Sequence, residues 1–142
     1  MKIRRLLIVF LAISLAAFLL GCGKSAMPLD YQLRDEIAKA AKGYKIEQSV
    51  SITGIDAKKC TVTIKADVNK WEFGEILHNV TPVVRNFLGK NRIELQWLWY
   101  DSEDGLCWHS FDGKEGTFED KNTGLFQRME LSDAIDYCGY VS

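Results

Sequence analysis

The spacing of apolar residues changes sharply near the middle of this chain. Residues 60–68 alternate between apolar side chains and Thr, Lys or Asp, which is the pattern of a β-strand with one buried face. From Phe73 to Leu88 apolar residues instead recur every three or four positions, as they do on the buried stripe of an amphipathic helix. Each element must bury its apolar side against another layer, so this segment predicts a helix packed on a sheet.

Further helix and strand patterns extend this arrangement along the chain. The remaining elements, in order, are a helix over residues 29–44, a strand over 46–52 that turns at 54–57, strands over 93–101 and 106–111 joined by an Asp104-Gly105 turn, a weaker strand at 117–118 and a short helix over 132–137. The order helix, β-hairpin, helix, β-hairpin predicts an α+β fold. Its helices are expected to pack on one antiparallel sheet, with a short C-terminal helix closing the chain.

Two residues indicate where the central helix begins and where it is disturbed. Asn69 precedes Glu72 by three positions, the spacing of a capping box that starts a helix. Pro82 lies inside the apolar stripe and has no backbone N–H to donate to the preceding turn. The sequence therefore predicts a kink or a split in this helix near His78 and Asn79.

The first 21 residues have the composition of a secretory signal peptide. Three basic residues precede an uncharged apolar run over residues 6–20, which is about the length of a signal-peptide core. A membrane-spanning helix needs roughly 20 apolar residues, so the run is short for a permanent anchor. The charged start and the short apolar core predict that this segment is removed.

The end of this segment, Leu19-Leu20-Gly21-Cys22, resembles the lipobox of bacterial lipoproteins. The resemblance covers residues 1–23 only. It implies cleavage after Gly21 and lipidation of Cys22 by a diacylglyceryl group and fatty acyl chains such as palmitate. Two or three acyl chains hold a protein durably on a membrane. Residues 22–28 then form the lipidated cysteine and a short tether, and residues 29–142 form a single domain.

The resemblance also implies a location in the cell envelope. Gly23 follows the lipidated cysteine, whereas an aspartate at that place is associated with retention in the inner membrane of enteric bacteria. In a cell with two membranes, the expected location is therefore the periplasmic side of the outer membrane. In a cell with one membrane, it is the outer face of that membrane.

The mature chain is mildly acidic, with its acidic residues concentrated near the C-terminus. The signal segment holds three of the 18 basic residues and none of the 19 acidic ones, which leaves 15 basic against 19 acidic residues, a net charge of −4. Residues 101–142 alone hold 3 basic and 10 acidic residues. Nucleic acid is not an expected partner, because phosphate contacts need clustered basic side chains.

An extracytoplasmic location permits disulfides between the three remaining cysteines. Cys60 shares its strand face with apolar neighbours, which indicates a buried thiol. Cys107 and Cys138 are then the expected bridge, since the strand over 93–101 is apolar on both faces near its end and the C-terminal segment is available to cover the second face. Such a bridge would stabilise the fold by roughly 3–4 kcal/mol.

The sequence carries no motif that assigns catalysis, a metal or a cofactor. It has no GxSxG elbow, no glycine-rich phosphate loop and no HExxH motif. His109 and Ser110 are neighbours on a strand and point to opposite faces, so they cannot act together as base and nucleophile. Cys107 and His109 share a strand face, yet zinc normally takes four ligands and the sequence offers no CxxC or HxxxH pair. The expectation is a protein that is not an enzyme and needs no cofactor or metal.

Large aromatic residues concentrate in the second hairpin. Trp97 and Trp99 have the phase of Ile93 and Leu95 and are therefore expected in the core. The expected partner-binding surface consists of six other aromatic and acidic residues of this hairpin, namely Tyr100, Asp101, Glu103, Asp104, His109 and Phe111. Tyrosine and tryptophan are frequent anchors of protein interfaces.

These observations favour a lipid-anchored extracytoplasmic module that binds another envelope or extracellular protein without catalysis. An assembly accessory, a scaffold, or an inhibitor or immunity-type protein would fit this description. The alternative is a lipoprotein that binds a small ligand in a pocket between the second helix and the sheet.

Overall fold

The computed structural model describes residues 27–142. The elements in chain order are α1 (Leu29–Ala40), β1 (Ile46–Thr53), β2 (Lys59–Ala66), α2 (Lys70–Lys90), β3 (Glu94–Ser102), β4 (Leu106–Ser110), β5 (Glu115–Asp120), β6 (Leu125–Glu130) and α3 (Leu131–Tyr137). The α+β class, the order helix, hairpin, helix, strands, and the short C-terminal helix are confirmed. Cys22 and the rest of the signal and tether segment up to residue 26 lie outside the described residues.

The six strands form one sheet in the order β1-β2-β3-β4-β5-β6. Four of the five neighbouring pairs are antiparallel, and β2 with β3 is parallel. The parallel pair follows from the length of α2, whose 21 residues span about 31 Å and return the chain to the end of the sheet where β2 began. The sheet is therefore mixed rather than wholly antiparallel. The sixth strand, β6, was not anticipated from the sequence.

All three helices pack on the same face of this sheet. The buried residues of these helices form one core with the inward side chains of the strands. They include Leu33 and Ile37 of α1, Phe73, Val80 and Leu88 of α2, and Ala134 of α3. None of the helices between residues 27 and 142 is long and apolar enough to cross a membrane. The architecture is two layers, helices on a sheet, with the core between them.

The central helix begins as expected and continues past its proline. The Asn69 side chain accepts a hydrogen bond from the Glu72 N–H at 2.9 Å, and the Glu72 carboxylate accepts from the Asn69 N–H at 3.1 Å. The expected split near His78 does not occur, since α2 is one helix from Lys70 to Lys90. Pro82 and His78 both lie on the exposed side of α2, where water can replace the missing backbone bond.

The C-terminal segment packs on the helix layer, next to α2, and not on the other face of the sheet. A side-chain carbon added at Gly74 of α2 would lie only 2.7 Å from the Cβ of Cys138 and 2.9 Å from the Cβ of Tyr140. Glycine thus allows the end of α3 to approach α2 closely. The expectation that this segment covers the second face of β3 is wrong.

Candidate functional site

The sheet face opposite the helices, called here the open face, is the most distinctive surface of the described chain. Its central row runs from β1 to β6 through Ser49, Thr63, Trp99, His109, Thr117 and Arg128. Hydroxyl side chains occupy β1 and β2, and aromatic rings occupy β3 and β4. None of the three helices described between residues 27 and 142 covers this face.

Four rings on the open face form a cluster, called here the aromatic patch: Trp97, Trp99, His109 and Phe111. The rings of Trp99 and His109 stack with centroids 4.7 Å apart and planes 13° from parallel. Phe111 meets His109 edge-on at 6.1 Å. Trp97 is 45% exposed, Trp99 38% and Phe111 70%. Contiguous exposed aromatic surface of this kind is uncommon on monomeric proteins and is typical of binding sites.

A β-bulge in β3 places the two tryptophans on the open face. Cys60 of β2 pairs with Leu95, but the next residue of β2, Thr61, pairs with Trp97, so Gln96 is an extra residue in β3. One extra residue inverts the alternation of every side chain that follows it. Leu95 still packs against the core, whereas Trp97 and Trp99 point outward. The expectation that these tryptophans belong to the core is wrong for this reason.

The same bulge turns Tyr100 into the core, so it is not part of an exposed recognition surface. Tyr100 is 1% exposed, and its hydroxyl lies 2.7 Å from the hydroxyl of Thr81 on α2. Burial raises the pKa of Tyr100 well above its ordinary value, and the hydrogen bond with Thr81 opposes the shift. Tyr100 is therefore a core residue on the helix side of the sheet, and its assignment to the partner-binding surface is corrected.

The aromatic patch encloses a shallow concavity of about 370 Å³ on the open face. Thr63 and Asp101 complete its lining beside the four rings. Most of the lining is therefore apolar, with one hydroxyl and one carboxylate at the margin. Such a surface can bury an apolar side chain of a partner and offer it a polar group nearby.

The predicted acidic residues lie together at one end of the sheet, next to the aromatic patch. Glu103 and Asp104 are exposed in the β3–β4 turn, and Asp101 is partly buried just before it. The buried Ser102 hydroxyl donates to the Val68 carbonyl at 3.1 Å and accepts the Asp104 N–H at 3.0 Å, which fixes the turn.

Lysines interrupt the negative charge of this region. Lys45 and Lys65 line the same groove as Asp101 and Glu103. The negative electrostatic potential at this groove is consequently weaker than the acidic composition of residues 101–142 suggests.

The three cysteines of the described residues are all buried and unpaired. Cys107 pairs across the sheet with Asp101 and Glu119 on the open face, whereas Cys138 belongs to the core under the helices. The expected bridge between Cys107 and Cys138 is wrong, because the sheet lies between them. The prediction of a buried thiol at Cys60 is confirmed.

Burial suppresses the reactivity of these thiols. Burial raises the pKa of Cys60 to about 11. Burial raises the pKa of Cys107 to about 12, and the carboxylates of Asp101 and Glu119 add to this shift. Burial also raises the pKa of Cys138 to about 12. Because the thiolate is the nucleophile and the metal ligand, these residues are poor candidates for either role. Within residues 27–142, no three His, Cys, Asp or Glu side chains are grouped so that they could hold a metal ion.

The interface between α2 and the sheet is filled by the core. Phe73, Ile76, Leu77, Val80 and Val84 of α2 are all buried there. A groove of about 390 Å³ lies beside this interface, at the C-terminal end of α2, where Arg85, Asp112 and Lys114 contribute to its lining. A ligand between helix and sheet would therefore have to bind in this groove and not within the interface.

Comparison with known proteins gives no match. No protein-family model, no curated protein and no solved structure is significantly similar to this chain.

Proposed function

We propose that this chain is a lipid-anchored module of the cell envelope that binds another envelope or extracellular protein through the open face of its sheet, without catalysis. The observation that carries the proposal is the aromatic patch, in which Trp97, Trp99 and Phe111 remain exposed although the chain has a core that could bury such residues. Burying these side chains against a partner would remove their apolar surface from water, which stabilises the complex.

The shape of the patch favours a macromolecule over a small ligand. Small-ligand sites usually enclose most of the ligand surface, whereas the concavity here lies on the face of an open sheet. Its composition, aromatic with polar groups at the edge, matches the centre and rim of protein interfaces. The alternative of a small ligand between α2 and the sheet has less support, because core side chains fill that interface.

The anchor forms the second part of the proposal. It rests on the resemblance of residues 1–23 to a lipoprotein signal and places the domain on the outer membrane, facing the periplasm, or on the outer face of a single membrane. Labelled fatty acid should be incorporated into the wild-type chain and not into Cys22→Ser. A Cys22→Ser chain that remains labelled would contradict the anchor.

Photo-crosslinking in living cells tests the binding surface. A photoreactive phenylalanine analogue is placed at Phe111 in the aromatic patch or at Tyr31, which is exposed on α1. The analogue at position 111 should give one dominant protein adduct, and the additional substitution Trp99→Ala should abolish it. Position 31 serves as the matched control on the helix side. Equal adducts from both positions, or an adduct at 111 that survives Trp99→Ala, would contradict the proposal.

A further inference from the structure

The end of the domain where the tether joins, called here the anchor end, brings together the start of α1, the end of α2 and the β1–β2 turn. The β4–β5 turn, residues 111–114, lies beside them. Met27, the first described residue, lines a groove with Lys90 and Asn91 at the end of α2. The N–H of Glu94, at the start of β3, donates to the carbonyl of Lys58 at 2.9 Å. The β1–β2 turn, residues 54–57, is therefore at the same end as the C-terminus of α2 and the start of α1.

Ile55, in the β1–β2 turn, is the most exposed large apolar residue of this end. It is 92% exposed, although isoleucine is among the residues most often buried. The turn requires glycine at position 54, because φ there is 100° and a side chain would meet the backbone of Ala57. Ile55 follows this glycine and points into solvent.

The segments next to this turn, with the start of α1, carry a small excess of basic side chains. The basic residues are Lys58, Lys59, Lys90 and Arg92, and the acidic ones are Asp30, Asp56 and Glu94. The β4–β5 turn at the same end adds one charge of each sign, Asp112 and Lys114. Long basic side chains next to an apolar tip are suited to the membrane interface, where the cation reaches lipid phosphates and the apolar group enters the acyl boundary.

The length of the tether limits which end of the domain can reach the bilayer. Cys22 and Met27 are five positions apart, with four residues between them, and five steps of extended chain reach at most roughly 18 Å. The nine-residue strand β3 alone is about 30 Å long, so the opposite end, with Glu103, is far from the anchor point when the anchor end faces the lipid. The short reach favours contact of the anchor end with the lipid surface.

We propose that the anchor end rests on the bilayer, with Ile55 inserted at the interface and the basic side chains of Lys58, Lys90 and Arg92 at the lipid phosphates. This inference rests on the proposed lipid anchor at Cys22. The strands then run away from the membrane, and the open face points sideways. A partner would reach the aromatic patch by moving along the membrane surface.

Fluorescence quenching on the full lipidated chain tests this orientation. The chain is reconstituted in vesicles of phosphatidylethanolamine and phosphatidylglycerol, and a thiol-reactive fluorophore is attached at Ala57→Cys next to Ile55, or at Glu103→Cys at the opposite end. The three described native cysteines are buried and react slowly. Nitroxide groups on the lipid acyl chains should remove most of the emission at position 57 and leave the emission at 103 unchanged. Adding Ile55→Asp should restore the emission at 57.

Flotation of the vesicles and the mass of the intact chain separate this inference from the anchor itself. A chain that carries the lipid mass and floats with the vesicles, but shows equal quenching at 57 and 103 or none at either, overturns the inference and leaves the anchor standing. Quenching at 57 that persists unchanged in Ile55→Asp also overturns it. A chain without lipid mass that fails to float contradicts the anchor, and the inference with it.

Discussion

The two faces of the sheet use the same residue types for different purposes. On the covered face, Trp108 of β4 is fully buried next to Tyr100 and Phe118. On the open face, Trp99 of the adjacent strand is 38% exposed and stacks on His109. The aromatic residues of the covered face are expected to determine stability, and those of the open face to determine binding.

The largest expected effect is the loss of a covered tryptophan. Trp108→Ala should lower the free energy of unfolding by about 3–5 kcal/mol, because it removes a large buried side chain and leaves a cavity. Trp99→Ala, its matched control on the open face, should cost no more than about 1 kcal/mol, because it removes one partly exposed cross-strand pair with His109. Urea denaturation measures both. Comparable losses in the two variants would show that the open face is part of the folding core.

A glycine on the covered face offers a second contrast. The side-chain carbon of Gly116→Ala would lie 2.8 Å from the Cε2 atom of Trp108 and would also meet the backbone oxygen of His109. Such overpacking should cost about 1–3 kcal/mol of stability. Gly89→Ala is the matched control, because nothing lies within 4 Å of its added carbon and alanine favours the helix there by up to about 1 kcal/mol. Thermal or urea unfolding that ranks Gly116→Ala as the more stable variant would contradict the packing.

The difference between the faces also shows what the sequence could reveal. Alternation over residues 60–68 and the Asn69–Glu72 capping box gave the strand and the helix start correctly, since both are local signals. The outward orientation of Trp97 and Trp99 could not be obtained in this way, because it depends on the bulge at Gln96. Residues 97–100 are apolar on both phases, so the pattern itself is compatible with either orientation.

Two other features depended on contacts between distant segments. The parallel pairing of β2 with β3 requires α2 to run back along the length of the strands, and the local patterns of the strands do not encode it. β6 lacks a clear alternation, since Leu125 and Phe126 are adjacent and Gln127 falls on the inward phase. Its strand conformation comes from pairing with β5.

Of the predicted site residues, His109 and Phe111 belong to the aromatic patch and Asp101 borders it, whereas Tyr100 lies in the core on the other side of the sheet.

The hydrogen bond between the buried hydroxyls of Tyr100 and Thr81 connects the covered face to α2. Its removal should have an intermediate effect on stability. Tyr100→Phe leaves the Thr81 hydroxyl without its partner in the core, which should cost about 1–2 kcal/mol. The double variant with Thr81→Val should cost less than the sum of the two single variants, because neither polar group remains to be satisfied. A double-mutant cycle in urea measures the coupling. Strict additivity would contradict the hydrogen bond between these side chains.

The smallest expected effect concerns the turn that carries Phe111 at the margin of the open face. The backbone N–H of Lys114 donates to Asp112 at 2.8 Å and lowers the pKa of that carboxyl, and partial burial opposes the shift. A lowered pKa means that the carboxylate stabilises the fold above the unfolded value of about 3.9, and that this stabilisation is lost as pH falls through the folded pKa. Asp112→Asn keeps an acceptor but does not titrate. Asp112 is exposed and water screens its charge, so at pH 6 the variant should be less stable than the wild type by no more than about 0.5 kcal/mol. Urea denaturation should show this difference disappearing toward pH 2. A difference that stays constant over this range would mean that the carboxylate charge does not hold the turn.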